Sequence, residues 1–248
     1  MLNNHNFTNQ IDIMKQKTAY ITGGSKGIGY GIAEALLEQG MYVAISSRTQ
    51  ENADAAAHKL DPTGKRILAI ASDVRDMSSE QRAVDAIVDT WGQLDVLVAN
   101  AGIGAFASIE EMTSKQWQDV IDVNLTGVFN SVKSSIPSLK KSKGYIITIA
   151  SLAGTNFFAK GAAYNASKFG LVGFTQAVML DLRQTGINTT TIMPGSVATE
   201  FMSGPPSDAD AWKIQPEDIG QIVVDLLKMN PRTLPSKIEV RPSRPPVK

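Results

Sequence analysis

Cysteine is absent from all 248 residues. That excludes disulfides, thiolate nucleophiles and cysteine-ligated zinc. Histidine is almost as scarce: His5 stands in a polar N-terminal stretch and His58 in a segment that reads as a surface helix. Two such imidazoles make neither a histidine-based metal centre nor a catalytic triad, so no metal is expected. There is no excess of either charge, with 24 basic and 24 acidic residues. The chain therefore offers no overall basic field to nucleic acid or to an anionic membrane surface. No apolar run exceeds strand length, which excludes an ordinary membrane span. Residues 1–16 lack both a basic start and an apolar core, so they do not read as a secretory signal. They are expected to form a loosely ordered extension, and the protein is expected to be cytoplasmic.

Alternation is what the sequence does have. Short β-rich runs fall near 17–22, 42–47, 66–71, 94–99, 144–150, 187–193 and 237–240. Helical patterns fall near 27–39, 50–60, 78–91, 115–136, 164–185 and 216–229. Strand and helix in turn predict an α/β fold: a doubly wound, Rossmann-like parallel sheet of about seven strands with helices on both faces. Val96–Ala99 and Tyr145–Ala150 are continuous apolar runs, as strands buried on both sides require. The length fits one domain, spanning 17–248. The Pro-rich end, Arg241 onward, reads as a tail. The helices near 115–136 and 164–185 are apolar on more than one side. Such helices need cover beyond the sheet they pack on.

Two clusters carry chemistry. Tyr164 and Lys168 are four apart, on one face of a helix, and Ser151 stands thirteen positions before the tyrosine. An ammonium beside a phenol is expected to favour the phenolate and lower its pKa, making Tyr164 a proton donor near neutrality. By itself Tyr-x-x-x-Lys is common on surface helices. The second cluster is a strand, Thr18–Thr22, then the glycine turn Gly23–Gly29, then an amphipathic helix stopped by Gly40. Glycines there let backbone approach a pyrophosphate at a helix N-terminus. The spacing is Gly-x-x-x-Gly-x-Gly (Gly23, Gly27, Gly29) rather than the commoner Gly-x-Gly-x-x-Gly.

Together these motifs resemble the short-chain dehydrogenase/reductase family. Thr22–Gly29 matches its glycine motif, Asn100-Ala101-Gly102 its Asn-Ala-Gly motif, and Pro194-Gly195 the turn after its sixth strand. Asn124, Ser151, Tyr164 and Lys168 match its catalytic tetrad, and the likeness runs from about Lys17 to Val240. The resemblance implies redox between a nicotinamide cofactor and a small-molecule carbonyl or secondary alcohol. Ser151 would hold the substrate oxygen and Tyr164 would protonate it. Lys168 would lower the tyrosine pKa and bind the nicotinamide ribose. Asn124 would stabilise a helix irregularity that seats a water. Asp73 and Val74 would meet the adenine; Asn100, Ala101 and Gly102 would line the cleft. Pro194, Gly195, Val197 and Thr199 would approach the nicotinamide. In the glycine turn, Ser25, Lys26 and Ile28 join the three glycines. The family also implies a dimer or tetramer through the two apolar helices.

The cofactor leaves a second signature. Where an acid would favour NAD, Ser47 and Arg48 follow the second strand, and Lys26 sits inside the glycine turn. A hydroxyl and two cations suit a 2′-phosphate, so NADP(H) is expected. Substrate-pocket candidates are Phe106, Leu152, Phe157, Phe158, Met193, Phe201, Met202 and Trp212, with 201–212 as a short lid. One variant is a 3-oxoacyl carrier-protein reductase, which would require a basic patch at the pocket mouth for its acidic carrier; Lys140, Lys141 and Lys143 form the only local basic cluster, and it need not face the pocket. A different class is a non-catalytic NADP-binding regulator, against which the intact Asn, Ser, Tyr and Lys set argues.

Overall fold

The computed structural model describes Met14 and residues 16–245. Most of the expected N-terminal extension and the last three residues lie outside the described residues. One residue assigned to that extension belongs elsewhere: Met14 is buried, packed in the core.

Seven strands form one parallel sheet: β1 (Thr18–Ile21), β2 (Tyr42–Ser47), β3 (Ile67–Ala71), β4 (Val96–Ala99), β5 (Tyr145–Ile149), β6 (Asn188–Pro194) and β7 (Lys237–Val240). Their order is β3-β2-β1-β4-β5-β6-β7. From β1 the chain steps outward to β3, then returns to lay β4 on the other side of β1. That reversal opens a crevice at the carboxyl ends of β1 and β4, where open α/β sheets bind ligands.

Side chains alternate across each strand. In β1, Ala19 and Ile21 enter one core and Tyr20 the other. The first core is covered by α1 (Gly27–Glu38), α2 (Gln50–Leu60) and α8 (Pro216–Lys228). The second is covered by α3 (Met77–Trp91), α5 (Gly127–Ser142) and α6 (Ala162–Leu182). Helices α1 and α8 approach through glycines. A Cβ at Gly31 would lie 2.6 Å from the Pro216 carbonyl carbon, and one at Gly220 2.6 Å from the Gly31 oxygen.

The helix expected near 115–136 differs in two ways. It comprises α4 (Ser114–Ile121), a π-helical turn over Asp122–Thr126, and α5, and it passes Pro137. Proline removes one bond to the carbonyl four residues back, here Lys133; both residues are exposed, so water can replace the bond. The helix stops where Lys143 turns left-handed (φ 51°) and the Gly144 amide bonds the Leu139 oxygen at 2.9 Å. A single-turn helix, α7 (Glu200–Ser203), lies between β6 and α8. Among the described residues, no helix is long and apolar enough to cross a membrane.

Candidate active site

The glycine turn is held from below. Gly24 donates its amide to the Ser46 oxygen at 3.0 Å. Gly23 and Gly27 adopt φ of 63° and 56°, where a side chain would be strained. A Cβ at Gly29 would lie 2.5 Å from Asn100 Nδ2 and 2.6 Å from the Gly23 oxygen. Helix α1 then begins after Lys26, which offers no side-chain cap, and it has no acid in its first turn. Free amides and a positive dipole end face the crevice. This cradle fits a dinucleotide pyrophosphate. Ile28 packs into the first core and aims the helix, while Ser25 and Lys26 lie towards solvent.

Thr22 locks this turn to the segment after β4. Its hydroxyl accepts the Asn100 and Ala101 amides, both at 3.0 Å. Asn100 Nδ2 returns bonds to the Thr22 and Gly23 oxygens at 2.9 and 3.1 Å. Thr22 was read only as the first residue of the glycine motif; its role as a lock was not, because its partners are far away in sequence.

Four expected catalytic residues gather at the carboxyl ends of β4 and β5. Asn124 is fully buried in the π-turn. Its Oδ1 accepts the Ile103 amide at 2.8 Å, and its Nδ2 donates to the Ile103 oxygen at 2.9 Å and to Ser167 Oγ at 3.1 Å. Lys168 Nζ is buried, donates to the Ile149 oxygen at 3.0 Å, and lies 5.7 Å from the Tyr164 ring centre. Gly102 leaves room between them: a Cβ there would be 3.4 Å from Asn124 Oδ1 and 3.8 Å from Lys168 Nζ. Ser151 follows β5. Its hydroxyl accepts the Ala153 amide at 3.1 Å and lies 3.5 Å from the Pro194 oxygen, so it also caps the short turn 152–154.

The electrostatics correct one expectation. Burial pushes the Tyr164 phenol up rather than down, and the Ser151 hydroxyl opposes that shift. Burial drives the Lys168 ammonium down to about 8. Desolvation disfavours each charged form. Burial thus favours the neutral hydroxyl at Tyr164 and disfavours the charge on the neighbouring lysine.

At the other end of the crevice stand Ser47, Arg48, Asp73 and Val74. Asp73 is gripped by Arg75, with Nε and NH2 contacts of 3.0 and 2.5 Å to its carboxylate, and its pKa is held below the usual range by Arg75. Arg48 contributes to the same lowering. Arg75 is a cation that sequence reading missed at this corner. Val74 is held by its oxygen accepting Asn130 Nδ2 at 2.8 Å. Lys26 differs from expectation: its ammonium is paired with Glu200 at 3.2 Å, across the crevice on α7. On that side Gly195 donates to the Val240 oxygen at 2.8 Å, Val197 bridges to Ile214, and Thr199 reaches 3.3 Å from the Cβ position of Gly27.

The expected substrate wall is partly there. Phe106 packs edge-on to Tyr164 (5.5 Å between centroids) and against Phe158 (6.0 Å); Phe201 lies 5.8 Å from Tyr164. The Ala107 amide bonds the Lys160 oxygen at 3.1 Å, tying the two loops that carry this wall. Leu152 stands 3.1 Å from the Cβ position of Gly195, and Phe157 projects into solvent. Met193 does not belong to the wall: it is 2% exposed in the second core, because its position in β6 points it under the sheet. Trp212 lines an open groove of about 470 Å³ with Arg241 and Arg244. Those arginines come from the described part of the segment read as a tail, residues 241–245, which is mostly exposed. The Met202 side chain lies outside the described residues.

A sequence model of the family described as short chain dehydrogenase matches residues 17–209. The chain is 35% identical over 187 residues to 3-oxoacyl-[acyl-carrier-protein] reductase FabG of Staphylococcus aureus, covering 75% of this chain and 76% of that protein. It is 31% identical over 242 residues to glycine betaine reductase ATRR of Emericella nidulans, covering 93% of this chain but only 19% of that longer protein. Among solved structures, alcohol dehydrogenase from Thermococcus sibiricus, complexed with 5-hydroxy-NADP, superposes with a TM-score of 0.86 at 28% identity, over 93% of this chain and 99% of that one.

Proposed function

The chain belongs to the short-chain dehydrogenase/reductase family, oxidoreductases acting on CH–OH and C=O groups, and from that premise we propose an NADP(H)-dependent reductase of neutral, apolar ketones or aldehydes. The observation that carries it is the meeting of Ser151, Tyr164, Lys168 and Asn124 one strand away from an uncapped, glycine-lined helix N-terminus. The cofactor, when bound, supplies or accepts the hydride. Ser151 Oγ holds the carbonyl oxygen as charge develops on it. Tyr164 Oη gives that oxygen its proton. The phenolate left behind faces the Lys168 ammonium, which is still charged at pH 7 with a pKa of about 8. In a buried site that attraction is stronger than in water. Asn124 keeps the π-turn and the Ile103 backbone in register with Lys168.

NADP rather than NAD is favoured by Ser47 and Arg48, and the nearby acid Asp73 is already neutralised by Arg75. A carrier-protein route is less well supported. Lys140, Lys141 and Lys143 end α5 just before β5, at the amino ends of the strands, whereas the site lies at their carboxyl ends. A purely regulatory role would not need a lysine buried against its charge. We extend the proposal to a homodimer or homotetramer. Phe129 and Leu180 are 45% and 55% exposed on α5 and α6, and Phe169 is 44% exposed beside them. Leu125, Phe129, Gly170 and Phe174 border an open apolar groove there. A second copy is the occupant expected to cover it; light scattering at micromolar concentration should give a dimer or tetramer, and a monomer overturns this part. The activity is tested by NADPH oxidation with ring-bearing ketones, short aliphatic ketones and acetoacetyl thioesters. Fastest turnover on the first group supports the reading; turnover on the thioester alone favours the carrier-protein route.

A further inference from the structure

Glu80 on α3 is fully buried, and the proposed chemistry does not use it. Its Oε1 accepts the Tyr20 hydroxyl at 3.0 Å and the Ser72 hydroxyl at 2.6 Å, while Oε2 has no partner within hydrogen-bond geometry, the nearby Ser131 hydroxyl donating to the Gly127 oxygen instead. Burial pushes its pKa up. A carboxyl so placed burdens the core, since an unpaired buried polar atom is destabilising. An apolar side chain would pack there at least as well.

Its connections suggest what the residue does. The Tyr20 hydroxyl also lies 3.1 Å from Ser46 Oγ on β2. Ser72 Oγ lies 3.1 Å from Ser79 Oγ, which accepts the Asp73 amide at 3.2 Å. Ser47 accepts the Ser72 amide at 2.8 Å, and Ser46 accepts the Gly24 amide at 3.0 Å. One carboxyl oxygen therefore joins the chain just before Ser47-Arg48 to the chain just before Asp73-Val74. Through Ser46 it also reaches the glycine turn. These are the three segments that frame the adenosine end of the crevice.

We propose that Glu80 is a positioning residue for the adenosine half of the dinucleotide site, holding the ends of β2 and β3 at the spacing the nucleotide needs. The proposal rests on the dinucleotide reading above. It differs from a purely structural role in one respect: the residue should aid binding while adding nothing to fold stability.

The test compares Glu80→Leu, Glu80→Gln and wild type. Leucine removes the shared acceptor, yet each hydroxyl keeps a second partner, Ser46 for Tyr20 and Ser79 for Ser72. Glutamine keeps an acceptor oxygen. Urea unfolding of the cofactor-free proteins gives stability, and calorimetric titration with NADPH and with NADH gives affinity. Glu80→Leu should be as stable as wild type or more so, yet bind its preferred cofactor about tenfold more weakly, a loss of about one hydrogen bond's worth of preorganisation. KM for the cofactor should rise in step, with kcat at saturation held. Glu80→Gln should recover most of the affinity. A Leu variant that binds as wild type does, or one that loses stability and kcat alike, overturns the proposal. If Glu80→Leu does not fold, Tyr20→Phe carries the test, since it severs one of the two links: unchanged affinity there overturns it too. Wild type binding neither nucleotide would instead overturn the dinucleotide reading itself.

Discussion

Lys168→Met removes the buried charge on which the site turns. Burial lowers the Lys168 pKa from 10.5 to about 8. Below pH 8 both folded and unfolded chains carry the charge, and the fold bears the desolvation penalty in full. Between pH 8 and 10.5 the folded protein releases its proton while the unfolded chain keeps it. Stability from this residue is therefore present above the unfolded pKa and is lost as pH falls through the folded one. Each pKa unit corresponds to about 1.4 kcal/mol, so wild type should gain about 3 kcal/mol relative to Lys168→Met over that window. For a domain of this size that is roughly 6–12 °C in the difference of their Tm values. Urea unfolding of both cofactor-free proteins at pH 7.5, 9 and 10.5 supplies the difference directly, and titrations common to both cancel. The difference should rise by about 1.4 kcal/mol per pH unit between pH 8 and 10.5 and be nearly level below pH 8. A flat difference would mean that Lys168 is solvated, and the electrostatic description of the site would be wrong.

Gly29→Ala places a Cβ within 3.0 Å of Asn100 Nδ2, the Gly23 oxygen and Gly24 Cα. Overpacking of that kind destabilises by about 1–3 kcal/mol, and displacing the Asn100 amide adds the loss of its two bonds. Tm should fall by several degrees and cofactor binding should weaken; calorimetry showing neither would refute the turn geometry. Glu200→Gln frees Lys26 from an exposed ion pair of the sort worth about 0–1 kcal/mol. NADPH should bind up to about fivefold more tightly in low salt, an advantage that high salt removes; no change in low salt would mean that Lys26 never reaches a phosphate. Arg48→Ala should raise KM for NADPH about tenfold or more and leave NADH nearly unaffected, as a lost charge-assisted bond implies. An equal effect on both cofactors would make Arg48 a surface charge.

Local pattern made the layers legible. Alternation placed all seven strands; Ser151, Tyr164 and Lys168 stood out by spacing, and Asn124 entered only through the family resemblance. What stayed hidden depends on distance in sequence. Glu200 lies 174 residues from Lys26, and Glu80 lies 60 from Tyr20. Nothing local announces either pair. The direction of the Tyr164 shift was misread because a neighbouring ammonium is visible in sequence, whereas desolvation is a property of the packed site. Met193 was misplaced for a related reason: proximity to Pro194 in sequence does not say which face of β6 a side chain takes. The continuation past Pro137 escaped notice because the interrupted turn faces water.

Tyr164→Phe is the most direct measurement of the central claim. The ring keeps its packing against Phe106 and Phe201, so Tm and NADPH affinity should hold. Only the proton donor is removed. With a ketone that the wild type reduces at a rate limited by chemistry, kcat should fall by about 10²–10⁴-fold. A Phe variant that turns over at near wild-type rate under those conditions would contradict the account, because the proton would then come from somewhere other than Tyr164.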